Sequence, residues 1–167
     1  MRAAVIVALA LGACGGPPAA PAGGGRCVSP AASVFERDTS LPGRRLAVPP
    51  ECCFVPGPAG GQIRCPESAL SWSLLPQPEA AARLLDQYVT TYRNTATGNV
   101  TERQAGCQLL GVPTTCWRFS ALPPVGSAQP LHAVAGAITV EGKGLLAACQ
   151  FYRGAGLPAV CRQIFTP

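Results

Sequence analysis

The sequence predicts an α+β fold, an antiparallel sheet of about six strands with one main helix and a short carboxyl-terminal helix. One segment repeats apolar residues at helical spacing, and short apolar runs elsewhere alternate with turn residues. Glycine-containing turns separate two pairs of these runs. With 48% hydrophobic and 13% charged residues in a chain of 167, a folded core is expected.

The main helix is predicted over residues 78–93, with Pro78 in the first turn. Its inward face consists of Ala81, Leu84, Leu85, Tyr88 and Tyr92. A short terminal helix is predicted to begin at Pro158 and to bury four residues, Val160, Cys161, Ile164 and Phe165. The predicted strands cover residues 45–48, 69–75, 103–110, 115–121, 132–140 and 144–152.

Two hairpins are expected within these strands. If Gly111 and Val112 form a two-residue turn, Cys107 lies directly opposite Cys116, close enough to form a disulfide. The second turn lies in residues 141–144, which contain two glycines. Two adjacent hairpins imply an antiparallel sheet.

The first fourteen residues have the features of an export leader. A single Arg2 precedes an apolar run that is too short to span a bilayer, and small residues precede Cys14. Residues Leu11-Gly12-Ala13-Cys14 resemble the bacterial lipobox. The resemblance implies a lipoprotein signal peptide at residues 1–13 and a diacylglyceryl group, and usually a further acyl chain, on Cys14. The alternative is an ordinary thiol beside a plain signal-peptidase site.

Residues 14–26 are predicted to form the lipidated cysteine and its tether, and residues 27–167 a single domain. The segment 15–25 contains only Gly, Pro and Ala, so it is expected to be flexible and to hold the domain about 20 Å from the lipid. Gly15 follows the cysteine where many inner-membrane lipoproteins have Asp, which favours the outer membrane of a cell envelope.

Cysteine parity supports export. Of nine cysteines, eight remain once Cys14 is assigned to lipid, and an even number suits a disulfide framework. The eight are Cys27, Cys52, Cys53, Cys65, Cys107, Cys116, Cys149 and Cys161. No Cys-x-x-Cys occurs, so disulfides are favoured over metal or redox chemistry, and no metal or other cofactor is predicted.

Three further pairings are favoured in addition to Cys107 with Cys116. A bridge from Cys149 to Cys161 would hold the terminal segment against the sheet. Cys53 is paired with Cys65 across the turn-rich residues 56–61, and Cys27 with Cys52. The partners of Cys52 and Cys53 are interchangeable on spacing alone.

The order of elements resembles the PsbP-like fold over residues 41–167. The residues that carry the resemblance are Leu109-Leu110-Gly111-Val112-Pro113 and the segment 160–165. The family pattern does not contain the cysteines of this sequence. The resemblance implies an antiparallel sheet between helices and an accessory or lipid-anchored role, and it transfers no catalytic residue.

Candidate chemistry is sparse in the sequence. His132 is the only histidine, and Ser127 nearby lacks the Gly-x-Ser-x-Gly motif. Trp72 and Trp117 lie in strand runs, where core packing is expected and a sugar or peptide platform is the alternative. The carboxylates are scattered, at Glu36, Asp38, Glu51, Glu67, Glu79, Asp86, Glu102 and Glu141.

These observations predict a membrane-anchored envelope lipoprotein, a non-enzymatic binding or accessory domain with a protein or glycan partner. The alternative is a small envelope hydrolase that uses His132 or a carboxylate pair. A third possibility is binding of anionic glycan or lipid through Arg44 and Arg45. Basic residues otherwise stand singly, so nucleic-acid binding is not expected.

Overall fold

A computed structural model describes residue 41 and residues 44–95, 100–121, 130–152, 154 and 156–167. Over these residues the chain forms eight strands and two helices. The strands are β1 (Cys53–Gly57), β2 (Gly60–Cys65), β3 (Ser68–Leu75), β4 (Val100–Leu109), β5 (Val112–Ala121), β6 (Leu131–Val140), β7 (Lys143–Phe151) and β8 (Phe165–Thr166). The helices are α1 (Pro78–Thr95) and α2 (Ala159–Arg162).

The strands form one sheet, which curls into a half-barrel. Their order is β1-β2-β3-β7-β6-β5-β4-β8, and each pair of neighbours is antiparallel. The predicted α+β class with an antiparallel sheet is confirmed. Helix α1 lies in the connection from β3 to β4. The β1–β3 strands join the other five through the pairing of β3 with β7.

The sheet is larger than the predicted six strands. Strands β1 and β2 were missed because Pro56, Gly57, Gly60 and Gly61 have the composition of a turn. Pro56 is tolerated because β1 is an edge strand, where a missing N–H need not break a ladder. Strand β8, at the other edge, is only two residues long.

The prediction of a strand at residues 45–48 was wrong. Leu46 makes only an isolated bridge. The backbone of Ala47 instead forms hydrogen bonds with the side chain of Gln163. The Ala47 N–H donates to Gln163 Oε1 at 2.6 Å, and Gln163 Nε2 donates to the Ala47 carbonyl oxygen at 2.8 Å. A side chain therefore takes the place of a neighbouring strand.

Helix α1 begins at Pro78, as predicted, and runs two residues beyond the predicted end at 93. It lies over β3, β6 and β7. Three of its own residues, Ala81, Tyr88 and Tyr92, are buried on the side that faces the sheet. At its first turn the helix approaches β7 so closely that a Cβ on Gly144 would stand 2.7 Å from the Cβ of Ala81.

Apolar side chains cover both faces of the sheet. On the helix face, residues of α1 pack against Phe119, Ala133, Ala135 and Ala148. On the opposite face, Leu41 and Leu46 pack with the terminal segment against Ile63, Leu70 and Leu145. The four residues predicted to face inward near α2, Val160, Cys161, Ile164 and Phe165, are all buried.

The β4–β5 hairpin has a different register from the one predicted. Leu109 pairs with Val112, so the turn is Leu110-Gly111, and Cys107 faces Thr114 instead of Cys116. Both turn residues have positive φ, at 54° and 82°, which is the type I′ geometry of two-residue hairpins. Gly111 in the second turn position adopts its positive φ without strain, whereas the predicted turn placed Gly111 first.

Three disulfides link cysteines of the described residues, and they pair Cys52 with Cys65, Cys107 with Cys116, and Cys149 with Cys161. The last two are the pairs favoured by the sequence. Cys107 and Cys116 lie diagonally across the hairpin, with Cα atoms 5.9 Å apart. The register differs from the prediction by two residues in total, which keeps both cysteines on one face, so the bridge still forms.

The favoured pairing of Cys65 with Cys53 was wrong, because Cys65 pairs with Cys52, the alternative that spacing left open. In the β1–β2 ladder Cys53 faces Arg64, so the same register places Cys52 opposite Cys65, with Cα atoms 4.2 Å apart. Successive strand residues point to opposite faces, which directs Cys53 away from Cys65. Cys53 is also disulfide-bonded. Cys27 lies outside the described residues.

Candidate functional site

His132 lies near the start of β6, on the sheet face opposite α1. Its strand partners are Ser120 on β5 and Phe151 on β7. The imidazole stacks on the Phe151 ring, with centroids 5.3 Å apart and planes 27° from parallel. Within the described part of the chain the half-buried ring has no hydrogen-bond partner. One side of the ring is therefore fixed by packing, and no residue in the described ranges bonds its nitrogens.

Two arginines share this face with His132. Arg118 precedes Ser120 by two positions on β5, and alternate residues of a strand point the same way. Arg103 on β4 is the direct partner of Arg118 across the ladder. We call Arg103, Arg118, Ser120 and His132 the polar cluster. It spans three adjacent strands, β4, β5 and β6, at one end of the sheet.

The two guanidinium groups of the polar cluster have no counter-ion among the described residues. Arg103 and Arg118 stand on directly opposed positions, where like charges destabilise a sheet. The Nε of Arg118 is buried and no described residue accepts its hydrogen bond. A buried donor without a partner costs about 1 to 3 kcal/mol. The cluster therefore combines positive charge with unused donors.

Glu102 is adjacent to Arg103 but does not neutralise it. It points to the helix face, where both its oxygens accept hydrogen bonds from Arg93 of α1. These hydrogen bonds hold the pKa of the Glu102 carboxyl below its ordinary value. The carboxylate is thus paired on one side of the sheet, and the two cluster arginines lie on the other.

The remaining described carboxylates lie on separate turns and on α1. Glu51 precedes β1, Glu67 lies in the β2–β3 turn, Glu79 and Asp86 are on α1, and Glu141 is in the β6–β7 turn. No group of three or more His, Cys, Asp or Glu within the described ranges is placed to hold a metal ion. Glu36, Asp38 and Ser127 lie outside the described residues.

The two tryptophans occupy different environments. Trp72 is 3% exposed and stacks on Phe54, so it is a core residue, as expected. Trp117 is half-buried on the helix face, stacked on Phe119, with the Arg93 guanidinium 5.2 Å from its ring centre. Arg93 covers this ring, and the cation–π contact links α1 to β5.

Arg44, one of the two arginines considered for anionic ligands, bonds to backbone. It donates to the carbonyl oxygens of Gln163 at 3.2 Å and Leu110 at 3.4 Å. Arg45 is exposed. Arg44 therefore contributes to the attachment of the segment preceding β1, and it lies at the turn end of the β4–β5 hairpin, away from the polar cluster.

Sequence reasoning singled out His132 and missed its three neighbours in the cluster. Residues 115–121 were read as one apolar strand, yet Arg118 and Ser120 alternate there with Trp117 and Phe119. That alternation places the two polar residues on one face. Their proximity to His132 and Arg103 depends on the pairing of β5 with both β4 and β6, which a strand pattern alone does not give.

No protein-family model matches the sequence, and no curated protein shows significant similarity to it. No helix within the described ranges combines the length and apolar character that a membrane span requires. Cys14 and the predicted leader lie outside those ranges. The features that bear on function are therefore the predicted leader, the disulfides and the polar cluster.

Proposed function

We propose that this protein is a membrane-anchored envelope lipoprotein whose domain binds a ligand without catalysing a reaction. The observation that carries the binding role is the pair of opposed arginines, Arg103 and Arg118, which share a sheet face with Ser120 and His132 and have no described counter-ion. Such a pair is costly to the domain alone, and a bound anionic group offsets the cost.

The lipobox residues support the anchor. After removal of residues 1–13, Cys14 carries the lipid, and several acyl chains together give stable attachment where one is marginal. The described disulfides support an oxidising compartment, where such bonds persist. Gly15 favours the outer membrane. The resemblance to the PsbP-like fold supports an accessory role.

The anchor is tested by the intact mass of the protein extracted from membranes, before and after reduction. We expect the mass of residues 14–167 plus acyl groups, rising by about eight hydrogens on reduction for four disulfides. The control variant Cys14→Ser should lack the acyl mass and leave the membrane fraction. An unacylated wild-type protein would contradict the anchor.

A hydrolase is the second candidate, favoured by the direct opposition of Ser120 and His132 on paired strands. A hydroxyl and an imidazole so placed can act as nucleophile and base if a hydrogen bond joins them. No hydrogen bond joins them in the structure, and the imidazole rests on Phe151. The geometry therefore favours binding over attack.

Turnover assays separate the two candidates. The full chain is incubated with ester, peptide and glycan substrates, and product is quantified against the His132→Ala and Ser120→Ala variants. We expect no turnover that either substitution removes. Turnover lost in both variants, with unfolding midpoints unchanged, would establish the hydrolase and end the non-enzymatic proposal.

A further inference from the structure

The polar cluster has a charge and a donor set that match one class of ligand. Arg103 and Arg118 supply two adjacent positive charges, Ser120 a hydroxyl and His132 a ring nitrogen. We infer that the cluster binds the phosphate group of a phosphate monoester. This inference rests on the proposed binding role and names its ligand class.

Charge is the first reason. A phosphate monoester carries a charge of about −1.5 to −2 near neutral pH, which balances two guanidinium groups. The formal charge of the chain is +5, so the domain carries no excess of acid that would repel such a ligand. Within the described residues Arg103 and Arg118 form no ion pair. A bound dianion converts their mutual repulsion into two attractions.

Donor number is the second reason, and it favours phosphate over carboxylate. Each guanidinium carries five N–H donors in a planar fork, and one fork can bond both oxygens of a carboxylate at once. A phosphate monoester has three terminal oxygens arranged in three dimensions. The donors of the polar cluster stand on three adjacent strands, β4, β5 and β6, so donors from more than one strand can serve those three oxygens.

Burial is the third reason. The Nε of Arg118 is shielded from solvent and lacks a partner among the described residues, while Arg103 is exposed. The cluster thus has a shielded donor beside an open rim. Charge-assisted hydrogen bonds gain strength where water is partly excluded. An anion can approach the cluster from the side of the exposed Arg103.

Of the two stacked rings beside the cluster, only the half-buried His132 imidazole offers surface to the ester's organic part, because Phe151 is 5% exposed. His132 and Phe151 stack at 5.3 Å, next to Ser120. A phosphate monoester occurs both on soluble metabolites and on phosphatidic acid, and the cluster recognises the shared group. The two sources are distinguished by a soluble probe and a short-chain lipid probe.

The test uses the full-length protein in detergent and titration calorimetry at constant ionic strength. The probes are glycerol phosphate, dihexanoyl phosphatidic acid and acetate. We expect at least one phosphate probe to bind and acetate to bind more weakly. Arg118→Gln and Arg103→Gln should each weaken phosphate binding about ten- to a hundredfold, the loss of one charge-assisted contact.

Matched variants exclude trivial explanations. Arg118→Lys keeps the charge but loses the fork, so it should bind between wild type and Arg118→Gln. Arg83→Gln, an exposed arginine on α1, removes one charge elsewhere and should leave the affinity within about twofold. Thermal unfolding of each variant is recorded. Arg118→Gln should unfold no earlier than wild type, because it removes a like-charge neighbour.

Three outcomes would overturn the inference. They are no phosphate binding at millimolar concentrations, binding that both Gln variants retain in full, and acetate binding as tight as phosphate.

Preference for the lipid probe identifies a headgroup as the source, and equal affinity identifies the phosphate alone. Release of inorganic phosphate during the titration would leave the site standing and overturn the non-enzymatic role. An unacylated mass would overturn the anchor alone.

Discussion

The Arg44 guanidinium donates a hydrogen bond to the Gln163 carbonyl oxygen, 119 positions further along the chain. A second N–H reaches the Leu110 carbonyl in the β4–β5 turn. Arg44→Ala should lower the free energy of unfolding by about 1 to 2 kcal/mol, because hydrogen bonds from a charged donor are lost. Urea unfolding measures the change. The exposed helical Arg83→Ala is the control and should stay within about 0.5 kcal/mol.

The Cys107–Cys116 disulfide crosses the β4–β5 hairpin and closes a short loop. Replacing both cysteines with Ala should lower the free energy of unfolding by about 2 to 3 kcal/mol, since the unfolded chain regains the entropy of that loop. The measurement is urea unfolding under oxidising conditions. In reducing buffer the variant and wild type should converge. A difference that survives reduction would mean that packing, and not the cross-link, is responsible.

Tyr88 and Tyr92 lie four residues apart on α1, and the described residues satisfy the hydroxyl of only one of them. Gln150 donates a hydrogen bond to the Tyr88 hydroxyl at 3.2 Å, whereas the buried Tyr92 hydroxyl has no partner among the described residues. Tyr92→Phe should therefore raise the free energy of unfolding by about 1 kcal/mol, and Tyr88→Phe should lower it by about the same amount. Thermal and urea unfolding of the pair check the opposite signs. Equal destabilisation by both would show that the Tyr92 hydroxyl has a partner.

Alkaline pH should destabilise the domain through the same two residues. Burial raises the pKa of Tyr88 from 10.0 to about 12, against a smaller opposite effect of the Gln150 hydrogen bond. Burial, with the neighbouring Tyr88 and Tyr152, also raises the pKa of Tyr92. The unfolded chain loses these protons near pH 10 while the folded chain keeps them, so stability is complete below pH 10 and falls as pH rises towards 12.

The alkaline loss is measured as the urea midpoint between pH 9 and 12. Each tyrosine that stays protonated contributes a slope of about 1.4 kcal/mol per pH unit. The double variant Tyr88→Phe and Tyr92→Phe should flatten the decline. An unchanged slope in that variant would place the alkaline sensitivity elsewhere.

Gly144 marks the closest approach of α1 to the sheet. A Cβ there would stand 2.7 Å from the Ala81 Cβ and 2.8 Å from the Gln77 carbonyl oxygen, so backbone must move. Gly144→Ala should lower the free energy of unfolding by about 1 to 3 kcal/mol. Gly106→Ala is a matched control, because its Cβ meets nothing within 4 Å. A loss equal in both variants would point to strand propensity instead of the helix contact.

The sequence predicted those elements whose pattern is local. Helix α1 and strands β3 to β7 each show the apolar periodicity of their own element. The register of the β4–β5 hairpin was predicted wrongly by two residues, but Cys107 and Cys116 remain on one face because side-chain direction repeats every two residues. Strand β1 is formed by pairing with β2, and β8 by pairing with β4. Their own sequences give little indication of a strand, because β1 contains Pro and Gly and β8 is two residues long. The polar cluster escaped prediction for the same reason, since its four members lie on three strands.

The three disulfides between described residues join cysteines only 9 to 13 positions apart, whereas pairing of β3 with β7 joins residues far apart along the chain. Local loops close quickly, and distant strand pairing is slow. Oxidation of the hairpins at Cys52–Cys65 and Cys107–Cys116 therefore does not have to wait for the central sheet. Oxidative refolding should show these two bonds early, with few scrambled isomers, and tertiary structure should follow later.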